Sequence, residues 1–435
     1  MRTRTFITAI ALIAALVPTL ARASAYQIYE QGAAVLGMAG AGTASVNDPS
    51  ALFFNPAAIT RLNGQQLLVG GNLISPVVSF AGTPAYPGYG VTEEWTRQSF
   101  PIPNLYYTYN SGKKWAAGLA LDAPYGLGMA WKDPERFTGR TIITKGDLKA
   151  INASATFAWA FNPKWSAAVG LDEIWANVSL HSIETAPIPG GSGGTANVAN
   201  VELSTDYTPA PTWNAGVLFA PNERWRIGAH YRSFAVVEID NGRANFDQIL
   251  YSSGNPAFDG PFNAAVAAGL PPDQKATTTL NLPAIWSAGV SYSPQPAWTI
   301  EGDLNVLGWS IFKDIPIHFE VTPSADKTMV ENYHDTIQFR VGAEHRLPKW
   351  TYRFGYYFDQ GAAPPESVTP LLPESDRHAG TLGVGFPLGK TIWLDVYELA
   401  IFPVRAKTEG RNRDGFDGEY KTFVNAAGLA LTARW

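Results

Sequence analysis

The chain has 435 residues, no cysteine and a formal net charge of -5, with a mean hydropathy of -0.06. These figures exclude a disulfide framework and the basic footprint of a nucleic-acid binder. They also show hydrophobicity that is dispersed along the chain: beyond the first residues no stretch of about 18 apolar residues occurs, so no spanning helix follows.

The amino terminus reads as a secretory signal. Arg2 and Arg4 precede the apolar run from Phe6 to Val17, Pro18 breaks it, and Ala21-Arg22-Ala23-Ser24-Ala25 supplies small residues at signal-peptidase spacing. Residues 1–25 are assigned to the signal peptide, with cleavage after Ala25 and Ala23 as the alternative. The run is shorter than the roughly 20 residues that a membrane anchor needs.

Residues 26–64 do not read as strand. Leu36-Gly37-Met38-Ala39-Gly40-Ala41-Gly42 is too small and flexible to face lipid. Asp48-Pro49 looks like an N-cap followed by a first-turn proline, opening a short helix through Phe54. Asn55-Pro56 repeats the device for Ala57 to Thr60. Such a segment ahead of the first strand suggests a plug filling a barrel lumen. The glycine run lacks the strand-loop-helix order and the Lys-Ser/Thr ending of a phosphate loop.

From residue 65 the chain alternates. Ile151, Ala153, Ala155, Phe157, Trp159 and Phe161 share one parity, against Asn152, Ser154 and Thr156. Trp225, Ile227, Ala229 and Tyr231 oppose Arg226, Gly228, His230 and Arg232. Ile337, Phe339, Val341 and Ala343 oppose Gln338, Arg340, Gly342 and Glu344. Tyr352, Phe354, Tyr356 and Phe358 oppose Thr351, Arg353, Gly355 and Tyr357. One face suits lipid and the other a polar lumen. Short turns rich in Asn, Pro, Gly and Lys lead into Trp115, Trp165, Trp225, Trp298, Trp350 and Trp393, as an aromatic girdle at one membrane interface requires. The 14 Trp, 18 Tyr and 22 Phe of the chain fit that role.

Six such turns join twelve strands, with a further strand before them, near Gln65 to Phe80, and one after, Glu419 to Trp435. The total of about fourteen is even, as expected of bacterial barrels. Longer connections rich in Gly, Pro and Asn fall at Gly82 to Gly90, Ala186 to Asn200, Asn241 to Asp273, Val321 to Glu331, Gln360 to Glu374 and Lys407 to Gly418. The last strand ends on Trp435, an aromatic residue at the interface. The expected fold is therefore all-β: a 14-stranded antiparallel transmembrane β-barrel over residues 65–435, with an N-terminal helical hatch in its lumen. The six histidines (His181, His230, His318, His334, His345 and His378) show no catalytic order or metal spacing. No enzyme, no cofactor and no metal site is expected.

Particular residues carry a family resemblance. Tyr26-Gln27-Ile28-Tyr29-Glu30-Gln31, then Gly37, Gly40 and Gly42, then Phe54-Asn55-Pro56-Ala57, resemble the hatch of the FadL family of outer-membrane transporters for long-chain fatty acids and other hydrophobic compounds. Asp122 to Leu127, Leu282 to Val290, Arg353 to Asp359 and Pro373 to Arg377 resemble later family segments in the same order. The resemblance implies a multi-pass protein of the Gram-negative outer membrane that works without an energy source. Hydrophobic small molecules would be captured in an apolar cavity and leave sideways through a wall opening made by a kink in the third strand.

On that resemblance Pro124, Tyr125, Gly126 and Gly128 are the candidate kink and opening, and Phe54, Asn55, Pro56 and Ala57 the candidate gate. Arg340, Arg353 and Arg377 are the candidate contacts for a carboxylate. Long-chain fatty acids are the expected cargo; aromatic hydrocarbons of the toluene type, or the polar solutes of a general porin, are the alternatives. Expected partners are outer-membrane lipid, lipopolysaccharide and the barrel-assembly machinery, the last through the strand ending at Trp435. No nucleic acid is expected, and the protein is expected to be a monomer.

Overall fold

The computed structural model describes residues 25–190 and 194–435. Almost the whole expected signal peptide, residues 1–24, lies outside the described residues. The fold is a closed antiparallel barrel of fourteen strands, in agreement with the expectation from sequence. The strands are β1 (Gln65–Gly82), β2 (Thr92–Glu94 and Phe100–Asn110), β3 (Trp115–Ala130), β4 (Lys145–Asn162), β5 (Trp165–Pro187), β6 (Thr195–Ser204 and Thr208–Phe219) and β7 (Trp225–Arg232 and Ala235–Gln248). They continue with β8 (Gln274–Leu282 and Ile285–Tyr292), β9 (Trp298–Leu307 and Asp314–Phe319), β10 (Lys327–Val330 and Thr336–Arg346), β11 (Thr351–Asp359), β12 (Arg377–Pro387), β13 (Ile392–Lys407) and β14 (Gly418–Arg434). The barrel closes where β1 pairs with β14, from Gln66 opposite Arg434 to Gly82 opposite Gly418.

The alternation read from sequence becomes the two faces of this wall. Val69, Ile151, Phe157, Trp213, Phe339, Phe354, Leu429 and Trp435 are exposed on the outside. Asn152, Asp172, Asn214, Arg232, Glu301, Asp303, Arg340 and Arg353 are buried on the inside. Tryptophans and their neighbours stack beside the short turns, Trp165 on Phe219 at 4.2 Å and Trp298 on His345 at 4.2 Å between ring centroids. Six strands are interrupted mid-course. Some breaks lie where the ladder lacks a donor or a side chain, as at Pro283 between the two pieces of β8.

Residues 25–63 run inside this wall and are buried at nearly every position. They form α1 (Ala33–Leu36), α2 (Ala51–Phe54) and a 3-10 turn (Pro56–Arg61). The start expected at Asp48-Pro49 is two residues early. Ser50 is the residue before the helix, and Asp48 Oδ1 accepts from its N–H (2.8 Å) and its hydroxyl (2.5 Å), so the aspartate shapes the approach instead of capping it. Asn55 does cap the second turn: its Oδ1 accepts from Ala57 N–H at 3.1 Å. The connection from Asn241 to Asp273 holds a helix, α3 (Pro256–Gly269), that the loop-like composition hid.

Candidate functional site: a cavity that reaches both faces of the wall

The wall is incomplete at one place. β2 and β3 pair only from Asn110 opposite Ala116 up to Leu105 opposite Leu121. Beyond that, Phe100 to Asn104 stay with β1, and β3 stays with β4. The two strands meet again only at a single bridge, Trp95 with Trp131. Two chemical causes lie in the sequence. Pro101 and Pro103 have no N–H to offer β3. On the other side, β3 carries a bulge between Asp122 and Tyr125, where Ala123 and Pro124 oppose one residue of β4.

The freed edge of β3 finds a different partner. Ile28 N–H donates to Pro124 O (2.8 Å), and Gly126 N–H donates to Tyr26 O (3.0 Å). Gln27 thus bridges to Tyr125, as a short strand inside the barrel would. Tyr125 donates its hydroxyl to Pro283 O at 3.0 Å. Gly128 is needed for contact: a β-carbon there would lie 2.2 Å from the Phe100 ring. All four candidate kink residues therefore sit on the unpaired stretch of β3 or at its bulge.

A cavity of about 890 Å³ occupies this place. Inward-facing Ile74, Val78, Leu148 and Ala150 line it, and so do outward-facing Val69, Leu105, Leu121 and Ile151. One void therefore touches both faces of the sheet. Tyr26 lines it as well, held edge-to-face by Trp309 (4.8 Å) and Phe312 (5.5 Å), with its hydroxyl on Asn281 O. Charged lining residues are few: Glu30, Asp122, Asp147, Lys149 and Arg377.

The three candidate arginines separate. Arg377 lines the cavity and donates to Ala25 O at 3.3 Å. Arg353 is buried between acids, with Nε on Glu344 (2.7 Å) and Nη1 on Asp395 (2.7 Å). Arg340 donates to Ala39 O (2.7 Å) and Gln338 Oε1 (3.1 Å), and lies over the Tyr29 ring at 3.7 Å. Neither Arg340 nor Arg353 lines the cavity; each holds the interior together. The gate candidates Phe54, Asn55, Pro56 and Ala57 are all buried, and Asn55 Nδ2 donates to both Thr43 O (2.7 Å) and Val217 O (3.0 Å).

On the periplasmic side of the bulge the lumen is polar. Asn152 donates to Asp122 (3.2 Å), Asn214 to both oxygens of Asp172 (2.9 and 2.8 Å), and Arg232 lies over Phe53 at 4.8 Å. At the other end Glu374, in the connection before β12, accepts from Ala363 N–H (2.8 Å), Ala362 N–H (3.3 Å) and Ala25 N–H. Burial pushes this carboxyl up to about 7. Tyr26, Glu374 and Lys149 are not among the site residues expected from sequence. Lys149 shares its outward parity with Lys145 and Asp147, and is the last charge before the apolar run that starts at Ile151.

An even-stranded barrel with an apolar outer belt, aromatic girdles and a filled lumen defines an outer-membrane protein. The chain matches the family described as "Outer membrane protein transport protein (OMPP1/FadL/TodX)" over residues 14–435, and it belongs to that family. It is 25% identical over 436 residues to a long-chain fatty acid transport protein of Escherichia coli O6:H1, covering 94% of each chain. It is 24% identical over 444 residues to the 47 kDa outer membrane protein of Pasteurella multocida, covering 98% of each. Among solved structures it resembles a Pseudomonas aeruginosa FadL homologue (TM-score 0.79, 19% identity, 94% of this chain and 99% of that one). It also resembles the Pseudomonas putida toluene transporter TodX (TM-score 0.70, 16% identity, 93% and 98%). The Escherichia coli protein and TodX are transporters, not enzymes.

Proposed function

We propose that the protein moves hydrophobic molecules, long-chain fatty acids first among them, from outside the cell into the bilayer through the opening between β2 and β3. The observation that carries this reading is the single cavity lined from both faces of the wall. An apolar molecule in it meets Leu121, Val69 and Ile151 toward the bilayer and Asp122 toward the lumen, where Asp172 and Arg232 stand close to Asp122. Crossing the polar band would leave those buried groups facing hydrocarbon, whereas sideways exit never returns the cargo to water. In this reading residues 26–64 are the hatch, Tyr26 to Ile28 its mobile edge, and Phe54, Asn55, Pro56 and Ala57 the pivot that stays tied down. Pro124, Tyr125, Gly126 and Gly128 form the mouth, and Arg377 meets the carboxylate. Aromatic hydrocarbons are the second reading, favoured by the apolar lining.

The test is to close the opening. Deleting Ala123 and replacing Pro124→Val removes the bulge, restores an N–H and keeps Asp122 and Tyr125 on the inner face. Uptake of labelled hexadecanoic acid and of labelled toluene by cells producing this variant should fall about tenfold or more, with the barrel still folded. Undiminished uptake of both would sink the lateral route. Of the two compounds, the one carried by the unaltered protein names the cargo class.

A further inference from the structure

We propose that Lys149 is a carboxylate contact at the outer end of this cavity, and that it makes the opening select amphiphilic acids over uncharged molecules with the same chain. The inference rests on the lateral-exit reading above. Lys149 shares the outward parity of Ile151, Phe157 and Trp159 on β4, and it is exposed there while also lining the cavity. Near the edge of the apolar band a charge costs little in itself, and what matters is whether a neighbour answers it.

Its neighbours do not. Asp147, the next outward residue on β4, is 3.5 Å from Lys145. Across the ladder stand Gly126 and Asn177, and the Asn177 amide is engaged by Thr205 O. Among the described residues no carboxylate lies within ion-pair distance of Lys149. Glu30 and Asp122, the other acids at the cavity, belong to its inner side.

The level is also suitable. Lys149 lies ten residues along β4 from Trp159 of the periplasmic girdle. At about 3.3 Å per residue and a tilt of about 40°, that is about 25 Å, the height of a barrel's apolar band. The ammonium therefore reaches the outer headgroup level while the acyl chain would lie below it, against Ile151 and Leu121. Arg377 lines the same void from the inner face of the wall. An acid thus finds a cation where it is held and a second where it leaves. A long-chain alcohol gains nothing from either.

The experiment uses full-length protein in the outer membrane of cells lacking any other long-chain fatty-acid transporter. Initial uptake rates of labelled hexadecanoic acid and labelled hexadecanol are compared for the unaltered protein, Lys149→Gln, Lys149→Glu and Lys149→Arg. The mobility of unboiled samples on a gel reports that each barrel is folded. Lys149→Gln should lower the acid rate about fivefold and Lys149→Glu further, while Lys149→Arg stays near the parent and the alcohol rate does not move. Equal losses for both compounds would overturn the proposal, since Lys149 would then serve the wall or a lipid phosphate and not the cargo. So would an acid rate that ignores all three substitutions. If the unaltered protein carries neither compound, the transport reading fails first and this inference with it.

Discussion

The interior segment meets two different walls. Against β9 to β12 it is locked. Gly342 and Gly355 leave room for the Met38 backbone, which a β-carbon at either position would approach within 2.4–2.5 Å. Asp303 accepts from Gly42 N–H and Thr43 N–H (2.9 Å each), Glu301 accepts from Ala44 N–H (2.6 Å), and Arg340 holds Ala39 O. Against the freed edge of β3 the same segment makes two backbone hydrogen bonds and one from Gln31 Nε2 to Ala123 O (3.0 Å), beside an 890 Å³ void. Charged, crowded contacts on one side and a short replaceable ladder on the other mean that any movement with modest cost starts at Tyr26 to Ile28.

The largest effect should come from breaking the locked side. Arg353→Met leaves Glu344 and Asp395 buried without their guanidinium. Glu344 keeps Arg346 (2.6 Å) and Asp395 keeps Trp393 Nε1 (3.0 Å), but neither contact replaces the shared cation. Unfolding in urea should show a loss of about 3–5 kcal/mol. A loss below 1 kcal/mol would mean that the two sides are held equally loosely, and the contrast drawn above would go.

The next effect concerns Glu374, which holds Ala25 just ahead of the loose edge. Glu374 has a folded value near 7, above its ordinary 4.5, so the folded state favours the protonated acid. Below about 4.5 the group contributes nothing. As pH rises toward 7 it destabilises the fold, reaching roughly 3 kcal/mol, and then levels off. Stability measured from pH 4 to 8 should fall accordingly, and Glu374→Gln should flatten that part of the profile. The same contacts bear on the signal peptide. Ala25 donates its N–H to Glu374 and accepts from Arg377, and cleavage after Ala25 would remove both bonds. We expect amino-terminal sequencing of the mature protein to begin at Ser24, which is cleavage after Ala23.

Much of the barrel was legible because lipid and lumen impose opposite polarity on alternate residues. The strand starting at Trp225 needs no partner to announce its outer face. The last strand gave its direction, its parity and its end at Trp435 within thirteen residues. The site was less legible for a physical reason. Arg340 and Arg353 look like ligand contacts until Ala39, Glu344 and Asp395 are brought beside them, and those partners lie 301, 9 and 42 residues away in sequence. Pro124 lies in the bulge of β3, but the gap also needs Pro101 and Pro103 on β2, which nothing in the sequence reading singles out. Lys149 is hidden for another reason: with Lys145 and Asp147 it reads as the charged outer end of a strand, and only the cavity beside it sets it apart.

The smallest of the three stability effects sits where locked and loose sides join. Asn55 caps the Pro56 turn through Oδ1 and, through Nδ2, ties Thr43 of the segment and Val217 of the wall. Asn55→Ala loses the cap and leaves two buried carbonyls short of a donor, a loss of about 2 kcal/mol. Asn55→Asp separates the two roles. It keeps an acceptor for Ala57 N–H but turns a carboxylate oxygen toward the carbonyls of Thr43 and Val217. If the tie matters more than the cap, Asn55→Asp is the less stable of the two in urea. If the cap matters more, Asn55→Asp is the more stable, and residues 54–57 are an independent turn that joins nothing. Only the first result supports a pivot there, because a pivot needs a bond to each of the two bodies that move apart.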